Sequence, residues 1–428
     1  MAKPDRSREP INRRQVLKGF ASAGAALALG ANRPETALAA AALDIQHVVL
    51  VMMENRSFDH FLGWVPGADG RQTGLSYPDH SGNLQPTYPL APDFQGCGHA
   101  DPDHSYEGGR VQYDGGACDG WLLAGSSDIY SIGYYTEADL PFHSGVVRNW
   151  MTCDGYYAAI LSSTYPNRVY QHAAQTDRIT NTLQISFLPT IWDRLAAAGL
   201  QGRYYYTDLP ITALWGRKLL SISRRIDRFF DACATGTLPQ VSFIDPKFLS
   251  ESDGTSKDDH PFADIRYGQA FLNSIYNAVV NSPNWPNTVL IINYDEWGGF
   301  FDHVAPTAAP IPPADERAGN EDGLRGFRTP VFLISPWTPR GTVGHGLYDH
   351  TSVLRMIEWR WSLPPLTVRD STANNLAELL DFSHANLDAP VFDVSSGPFG
   401  GACPPPASAA ADWEGLRRLA RRQGFWVP

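Results

Sequence analysis

HVVLVMMENRSFDHFLG, residues His47 to Gly63, contains an uninterrupted apolar run, Val48 to Met53, that breaks off at Glu54 and Asn55. A run of that length, rich in β-branched side chains and lacking polar alternation, suits a strand buried on both faces. In open α/β sheets, ligands bind beyond the carboxyl ends of the strands. A carboxylate beside a carboxamide at that edge therefore suggests a hard-cation site. Taken alone, the stretch reads equally well as a capped helix start.

Moving outward, TVLIINYDEWGGFFDHV repeats the arrangement: an apolar strand, Thr288 to Tyr294, closes in Asp295 and Glu296. No basic neighbour is expected to neutralise Glu54, Asn55, Asp295 and Glu296, so convergence of the two strand ends would demand a divalent cation. Gly298 and Gly299 allow close backbone approach. His303 beyond them reads as readily structural as part of a pocket. GRYYYTDL, QVSFIDP and RTPVFLISPW are further strands. Helical patterns cover Leu188–Gly199 and Ile265–Val280, and another begins near Thr351, with Asp349 and His350 assigned to its capping. This alternation predicts an α/β fold, a doubly wound and mostly parallel sheet with helices on both faces. Residues 63–139 read as irregular excursions over the strand ends, and 306–323 as a mobile rim loop. In LSSTYPNR, Pro166 suits the first turn of a helix preceded by Ser163 and Thr164. A hydroxyl there meets free amides that favour a phosphoryl anion, or serves as a simple cap.

MENRSFDHFLG, DPDHSYEG, STYPNR, VSFIDP, DDHPFADIRYGQAF, NYDEWGGFFDHV and YDHTSVLRMIEWRW occur in one order from His47 to about Trp361. Together they resemble the bacterial phosphoesterase family that contains secreted phospholipases C and related acid phosphatases, a branch of the alkaline-phosphatase-like superfamily. The resemblance implies that Thr164 is the nucleophile, with Ser163 as the near alternative, and that His104 and His260 lie on the phosphate side. It further implies that Glu54, Asn55, Thr164, Asp295 and Glu296 hold a divalent metal ion. All-oxygen ligation favours calcium, with magnesium or manganese as alternatives, over zinc. The expected activity is that of a phospholipase C, cleaving the glycerol-side phosphodiester of a lipid such as phosphatidylcholine through a phospho-threonine. An acid phosphatase acting on monoesters, and an exported phosphate- or lipid-binding protein without turnover, are the competing readings.

A net charge of −11 over 428 residues argues against nucleic acid as a partner and supplies no pull towards anionic lipid. A neutral or zwitterionic surface remains open to transient contact. Arg13 and Arg14, the apolar run Phe20 to Ala31 and the Ala37–Ala39 site resemble a twin-arginine export signal. Residues 1–39 are therefore expected to be a signal peptide and 40–428 a single catalytic domain, with its core at about 45–362 and a tail at 363–428. The Tat machinery becomes a partner, and the periplasm or the exterior the destination. Among five cysteines, Cys97 and Cys118 are the expected disulfide, with buried thiols elsewhere. Trp121, Tyr130, Tyr134, Tyr135 and Phe142 read as packing or as a wall for an alkylammonium group. From Trp413 onward, Arg417, Arg418, Arg421 and Arg422 beside Leu416 and Leu419 predict a basic amphipathic helix against the body.

Overall fold

The computed structural model describes residues 44–403 and 409–428. The expected signal peptide and the mature start near Ala40 lie outside them. His47–Met53 (β1), Met151–Cys153 (β2), Gly202–Tyr206 (β3), Ser223–Arg225 (β4), Val241–Asp245 (β5), Thr288–Tyr294 (β6), Val331–Ile334 (β7) and Thr342–Gly344 (β8) form one eight-stranded sheet in the order β8-β2-β7-β6-β1-β5-β3-β4. Only β7 runs against its neighbours β6 and β2; the other pairings are parallel. The two longest strands, β1 and β6, lie side by side, and β6 is buried throughout. The chain passes from β5 to β6 across β1, so the carboxyl ends of these strands sit where strand order reverses, the usual place for a ligand.

The main helices are Phe58–Leu62 (α1), Tyr106–Tyr113 (α2), Thr164–Ala173 (α3), Ile265–Val280 (α4), His350–Trp361 (α5) and Ala409–Gln423 (α6). Asp264 caps α4 by accepting from Arg266 N, and its buried stripe includes Phe271, Leu272, Ile275 and Val279. That stripe shares one core with Val49, Val51 and Met53 of β1 and Leu290, Ile292 and Tyr294 of β6. Leu50 points to the opposite face, where it meets His172 of α3 and Leu354 and Ile357 of α5. Helices on both faces explain why these strands are apolar at every position. A charge at Val51 or Ile292 would find no partner and would forfeit roughly 1.5–3 kcal/mol of burial besides.

Several expectations are corrected. The helix expected over Leu188–Gly199 spans only Ile191–Ala197, because Thr190 and Asp193 form a capping box that fixes a later start. The segment read as a mobile rim loop carries a short helix, Pro313–Ala318. Its buried Asp315 accepts from Thr176 N at 2.9 Å, from Asn320 Nδ2 at 3.1 Å and from the Tyr170 hydroxyl of α3. The disulfide joins Cys97 to Cys403, Cα atoms 5.3 Å apart, and Cys118, Cys153 and Cys233 are buried thiols. Closeness in sequence misled here: Cys118 packs into the cluster of Trp121 and Phe327. Cys403 is delivered to Cys97 by two hydrogen bonds, from its own N–H to Ser252 O at 2.8 Å and from Gly401 N to Gln95 Oε1 at 3.1 Å. The five loop aromatics are buried and serve packing. α6 buries Trp413, Leu416, Leu419 and Ala420 and leaves Arg418, Arg421 and Arg422 in solvent.

Candidate metal and phosphoryl site

Met53 pairs with Tyr294 at the end of the β1–β6 ladder, so Glu54 and Asp295 follow side by side. Bonding continues past the strands: Asp295 N reaches Met53 O at 3.1 Å, Asn55 N reaches Asp295 Oδ1 at 3.2 Å, and Arg56 N reaches Glu296 O at 3.1 Å. Asn55 adopts a left-handed conformation, φ 59°, a strained state for a residue with a side chain. A Cβ at Gly298 would lie 2.2 Å from Asn55 O, so only glycine permits this approach. Glu54 N donates to Asp258 O at 2.8 Å, which brings the DDHP segment to the same edge. Glu54, Asn55, Asp295 and Glu296 are all fully buried.

A basic neighbour is present after all, contrary to the sequence expectation. Arg168 of α3 meets Asp295 Oδ2 at 2.9 Å, Asp245 Oδ1 at 2.8 Å and Glu54 Oε1 at 3.4 Å. It lies one helical turn after Thr164, so its ion pairs hold the start of α3 against the strand ends. Asp295 is thereby committed on both oxygens, since Oδ1 also accepts from Glu296 N at 2.7 Å.

Several other oxygens nearby accept no hydrogen bond. Both carboxylate oxygens of Glu54, the carboxamide of Asn55, Glu296 Oε1, Asp258 Oδ2 and Asp101 Oδ1 are buried without a hydrogen-bond partner. Such atoms cost roughly 1–3 kcal/mol each unless something else satisfies them. Two groups could each hold a metal ion, with ligand atoms within 4.8 Å of one another: Glu54, Glu251 and Asp258, and Asp101, His104 and His260. Glu54 thus stands with Glu251 and Asp258, while Glu296 adjoins the second group through His104, 3.9 Å away. Burial drives Glu54 well above the carboxylate range. Arg168 opposes this, while Asp295, Asp258 and Glu251 add to it. Burial likewise pushes Glu296 up to about 8. Carboxyl groups this crowded and this dry fit a hard, oxygen-seeking cation. A third group, Asp59, Asp302 and His303, differs in holding its own counter-charge, because Arg328 meets Asp59 at 3.1 Å and Asp302 at 2.9 Å. His303 binds Asp59 and Asp69 and belongs to that brace. His350 is bound at Nε2 to Asp295 O, 2.7 Å away, and Asp349 caps α5.

His104 and His260 lie together, ring centroids 6.3 Å apart. Burial pulls His104 down, but Glu296, Asp101 and Asp103 outweigh it and raise the ring to about 9, so it carries a proton at neutral pH. Burial lowers His260, with Asp101 opposing and the charge on His104 reinforcing the shift. The two neighbouring rings are thus shifted in opposite directions.

Thr164 is the first residue of the ten-residue α3, and it is buried. Ser163, the N-cap, spends its hydroxyl on Asn181 Oδ1 at 3.2 Å. Sequence reasoning passed over Arg168, Asp101, Asp245 and Asp258, although all four stand inside motifs it quoted. Asp245 closes a strand, as Glu54 does, and that signal could have found it. Glu251 lies in a polar run with no pattern to mark it.

A sequence model described as the Phosphoesterase family matches residues 45–364. Residues 10–30 match a TAT (twin-arginine translocation) pathway signal sequence, so the chain is exported by that route to the periplasm or beyond. No helix among the described residues is long and apolar enough to cross a membrane. "Non-specific phospholipase C5" of Arabidopsis thaliana is 30% identical over 406 residues, covering 83% of this chain and 78% of that protein. "Phospholipase C B" of Mycobacterium tuberculosis is 30% identical over 431 residues, covering 81% of each. Similar solved structures include the PsFucS1 sulfatase from Pseudoalteromonas sp., with TM-score 0.43, 9% identity and coverage of 82% of this chain and 77% of that one. Another is an alkaline phosphatase superfamily protein from Vibrio parahaemolyticus, with TM-score 0.37, 8% identity and coverage of 78% and 69%.

Proposed function

The chain belongs to the Phosphoesterase family, and we propose that it is a metal-dependent phospholipase C that hydrolyses the glycerol-side phosphodiester of lipids such as phosphatidylcholine through a phosphorylated Thr164. The observation that carries this reading is the set of buried oxygens on Glu54, Asn55 and Glu296 that accept no hydrogen bond, at two adjacent strand ends to which Arg168 ties the helix that Thr164 begins. Two relatives named as phospholipases C support the lipid substrate. The mature chain from about residue 40 acts as one catalytic domain.

Glu54, Asn55, Thr164, Asp295 and Glu296 would hold the cation, calcium first and magnesium or manganese as alternatives. A carboxylate oxygen has two lone pairs, so the bond from Arg168 leaves Asp295 able to serve as well. When bound, the cation supplies positive charge that favours the Thr164 alkoxide and offsets charge on the phosphoryl oxygens. Thr164 gives up its hydroxyl proton to water, its Oγ1 attacks phosphorus, and the P–O bond to the alcohol breaks. His104 holds a phosphoryl oxygen and gives its proton to the departing alcohol. His260 accepts a proton from the water whose oxygen then attacks phosphorus; the P–Oγ1 bond breaks, Thr164 regains a proton, and the phosphorylated headgroup leaves. The free amides at the start of α3 stabilise charge on the transferring group. The reading over Ser163 rests on the hydroxyl of that residue being engaged with Asn181.

Purified mature protein assayed on phosphatidylcholine and on an aryl phosphate monoester, with and without chelator, tests the proposal. Phosphocholine release that stops with chelator and returns with calcium is expected. Turnover of the monoester alone would make it an acid phosphatase, and turnover of neither would leave a binding protein.

A further inference from the structure

Beside Glu54, two carboxylates from the loop after β5 complete a group of three. One oxygen from each of Glu54, Glu251 and Asp258 lies within 4.8 Å of the others, and all three side chains are buried. Oxygens around a calcium ion, each roughly 2.3–2.6 Å from it, lie no more than about 5 Å apart. Protein donors fix one oxygen of each loop carboxylate and leave the other. The Trp413 indole N–H donates to Glu251 Oε1, and Asp258 Oδ1 accepts from Ser256 Oγ at 2.9 Å and from His260 N at 3.2 Å. Asp258 Oδ2 and Glu54 Oε2 are buried and accept no hydrogen bond. Glu251 Oε2 lies 3.5 Å from His260 Nδ1, a nitrogen already bonded to Pro261 O at 3.0 Å. Outer donors that orient a carboxylate while its second oxygen stays open belong to a built metal site.

A single cation at the strand ends does not balance this region. Glu54, Asp245, Glu251, Asp258, Asp295 and Glu296 are buried carboxyl groups, and Asp101 adds a seventh at their margin. Among the described residues, Arg168, His104 and His260 are the side chains able to carry positive charge within ion-pair reach of them. With both rings protonated, one divalent ion still leaves two carboxylates without counter-charge, and a second closes the balance. Glu251 also lines a cavity of about 600 Å³ between its loop and α6, with a wall that is mostly polar and charged. Asp253 on that wall is exposed, so water and ions reach Glu251 from solvent. The loop holds Ser250, Asp259 and Phe262 in left-handed backbone, φ 74°, 76° and 75°. Such states persist only where the surroundings fix them, and an ion joining Glu251 and Asp258 to Glu54 fixes the loop at two points.

We propose that Glu54, Glu251 and Asp258 bind a second hard divalent cation, calcium by its ligands, which shares Glu54 with the ion of the phosphoryl site and holds in place the loop that carries His260. A carboxylate has lone pairs enough on its two oxygens to serve both ions. The second ion goes beyond the phosphoester reading and is counted separately from it. Equilibrium dialysis of the full mature chain against calcium, followed by metal analysis, is compared for the parent, Glu251→Gln and Glu296→Gln. Two ions per chain are expected in the parent. Glu251→Gln keeps an acceptor for Trp413 but turns an amino group to the ion, so it should weaken one of the two by about 10-fold or more; Glu296→Gln should weaken the other. In chelator Glu251→Gln should melt no lower than the parent, since a carboxyl has left a crowded group, and calcium should raise its melting temperature by less. A side chain with a merely structural role would lower the melting temperature in chelator as well. One ion in the parent, bound equally well by Glu251→Gln, overturns the second site and leaves the first standing; two ions bound equally well by that variant overturn the ligand assignment. One ion that Glu251→Gln loses and Glu296→Gln keeps supports the second site and removes the ion from the phosphoester reading instead. No bound calcium at all overturns both.

Discussion

Arg168 neutralises a region that would otherwise hold Glu54, Asp245 and Asp295 as unbalanced buried charge. Removing one partner of a buried ion pair typically costs about 3–5 kcal/mol. Arg168→Gln should lower the unfolding free energy of the metal-free protein by that order in denaturant titration; an unchanged midpoint would show that the carboxyl groups are protonated and need no counter-charge. Thr164→Ala should reduce turnover by several orders of magnitude, Thr164→Ser should retain part of the rate, and Ser163→Ala should be mild. Steady-state kinetics on a soluble phosphodiester checks the ranking. At this scale the strand-end residues were legible because an apolar run stopping in Glu-Asn or Asp-Glu is a local pattern. Arg168 was not, since its partners lie 77 to 127 residues away. Nor was Glu251, which reaches the site only through the fold.

Helices carry a pH dependence of their own. His143, in the helix Pro141–Asn149, is driven down to about 4 by burial, against a bond from Gln269, and His172 of α3 to about 3 by burial and then by Arg168. Both sit below the unfolded value of 6.5, so the unfolded chain takes up protons first as pH falls. The stability they contribute is complete above about pH 6.5 and is lost progressively down to about 4 for His143 and about 3 for His172, on the order of a few kcal/mol each. The ring nitrogens of His172 have no hydrogen-bond partner and lie among Trp192, Tyr204, Trp215 and Phe243. His172→Phe should therefore flatten the fall of melting temperature between pH 6.5 and 4, which scanning calorimetry will show; an equally steep fall would place the acid sensitivity elsewhere. The strand Thr288–Tyr294 and the helix Ile265–Val280 were readable from the apolar pattern to the residue. Elements set by one polar contact were not. Thr190 with Asp193 decided where one helix begins, and buried Asp315 turned an apparent surface loop into a docked one.

Across the whole molecule, Ile45–Pro428 forms one compact unit, and the Cys97–Cys403 bond ties its ends. It closes a span of 306 residues and joins the segment bearing Asp101 and His104 to the tail, which in turn holds Ser252 beside Glu251. In the chain-entropy account a loop of that length contributes on the order of 5 kcal/mol. Cys403→Ser should lower the melting temperature and weaken calcium binding together. A fall in melting temperature alone would make the bond a brace without influence on the site. No sequence spacing reveals such a pairing, because only the packing of the tail decides which cysteine arrives. The central claim is that Thr164 accepts the phosphoryl group, and acid-quenched turnover followed by peptide mass spectrometry tests it most directly. One added phosphoryl mass on the peptide containing Thr164, located on that residue by fragmentation and absent from Thr164→Ala, is predicted; the same mass on Ser163 or on His104 would contradict the account.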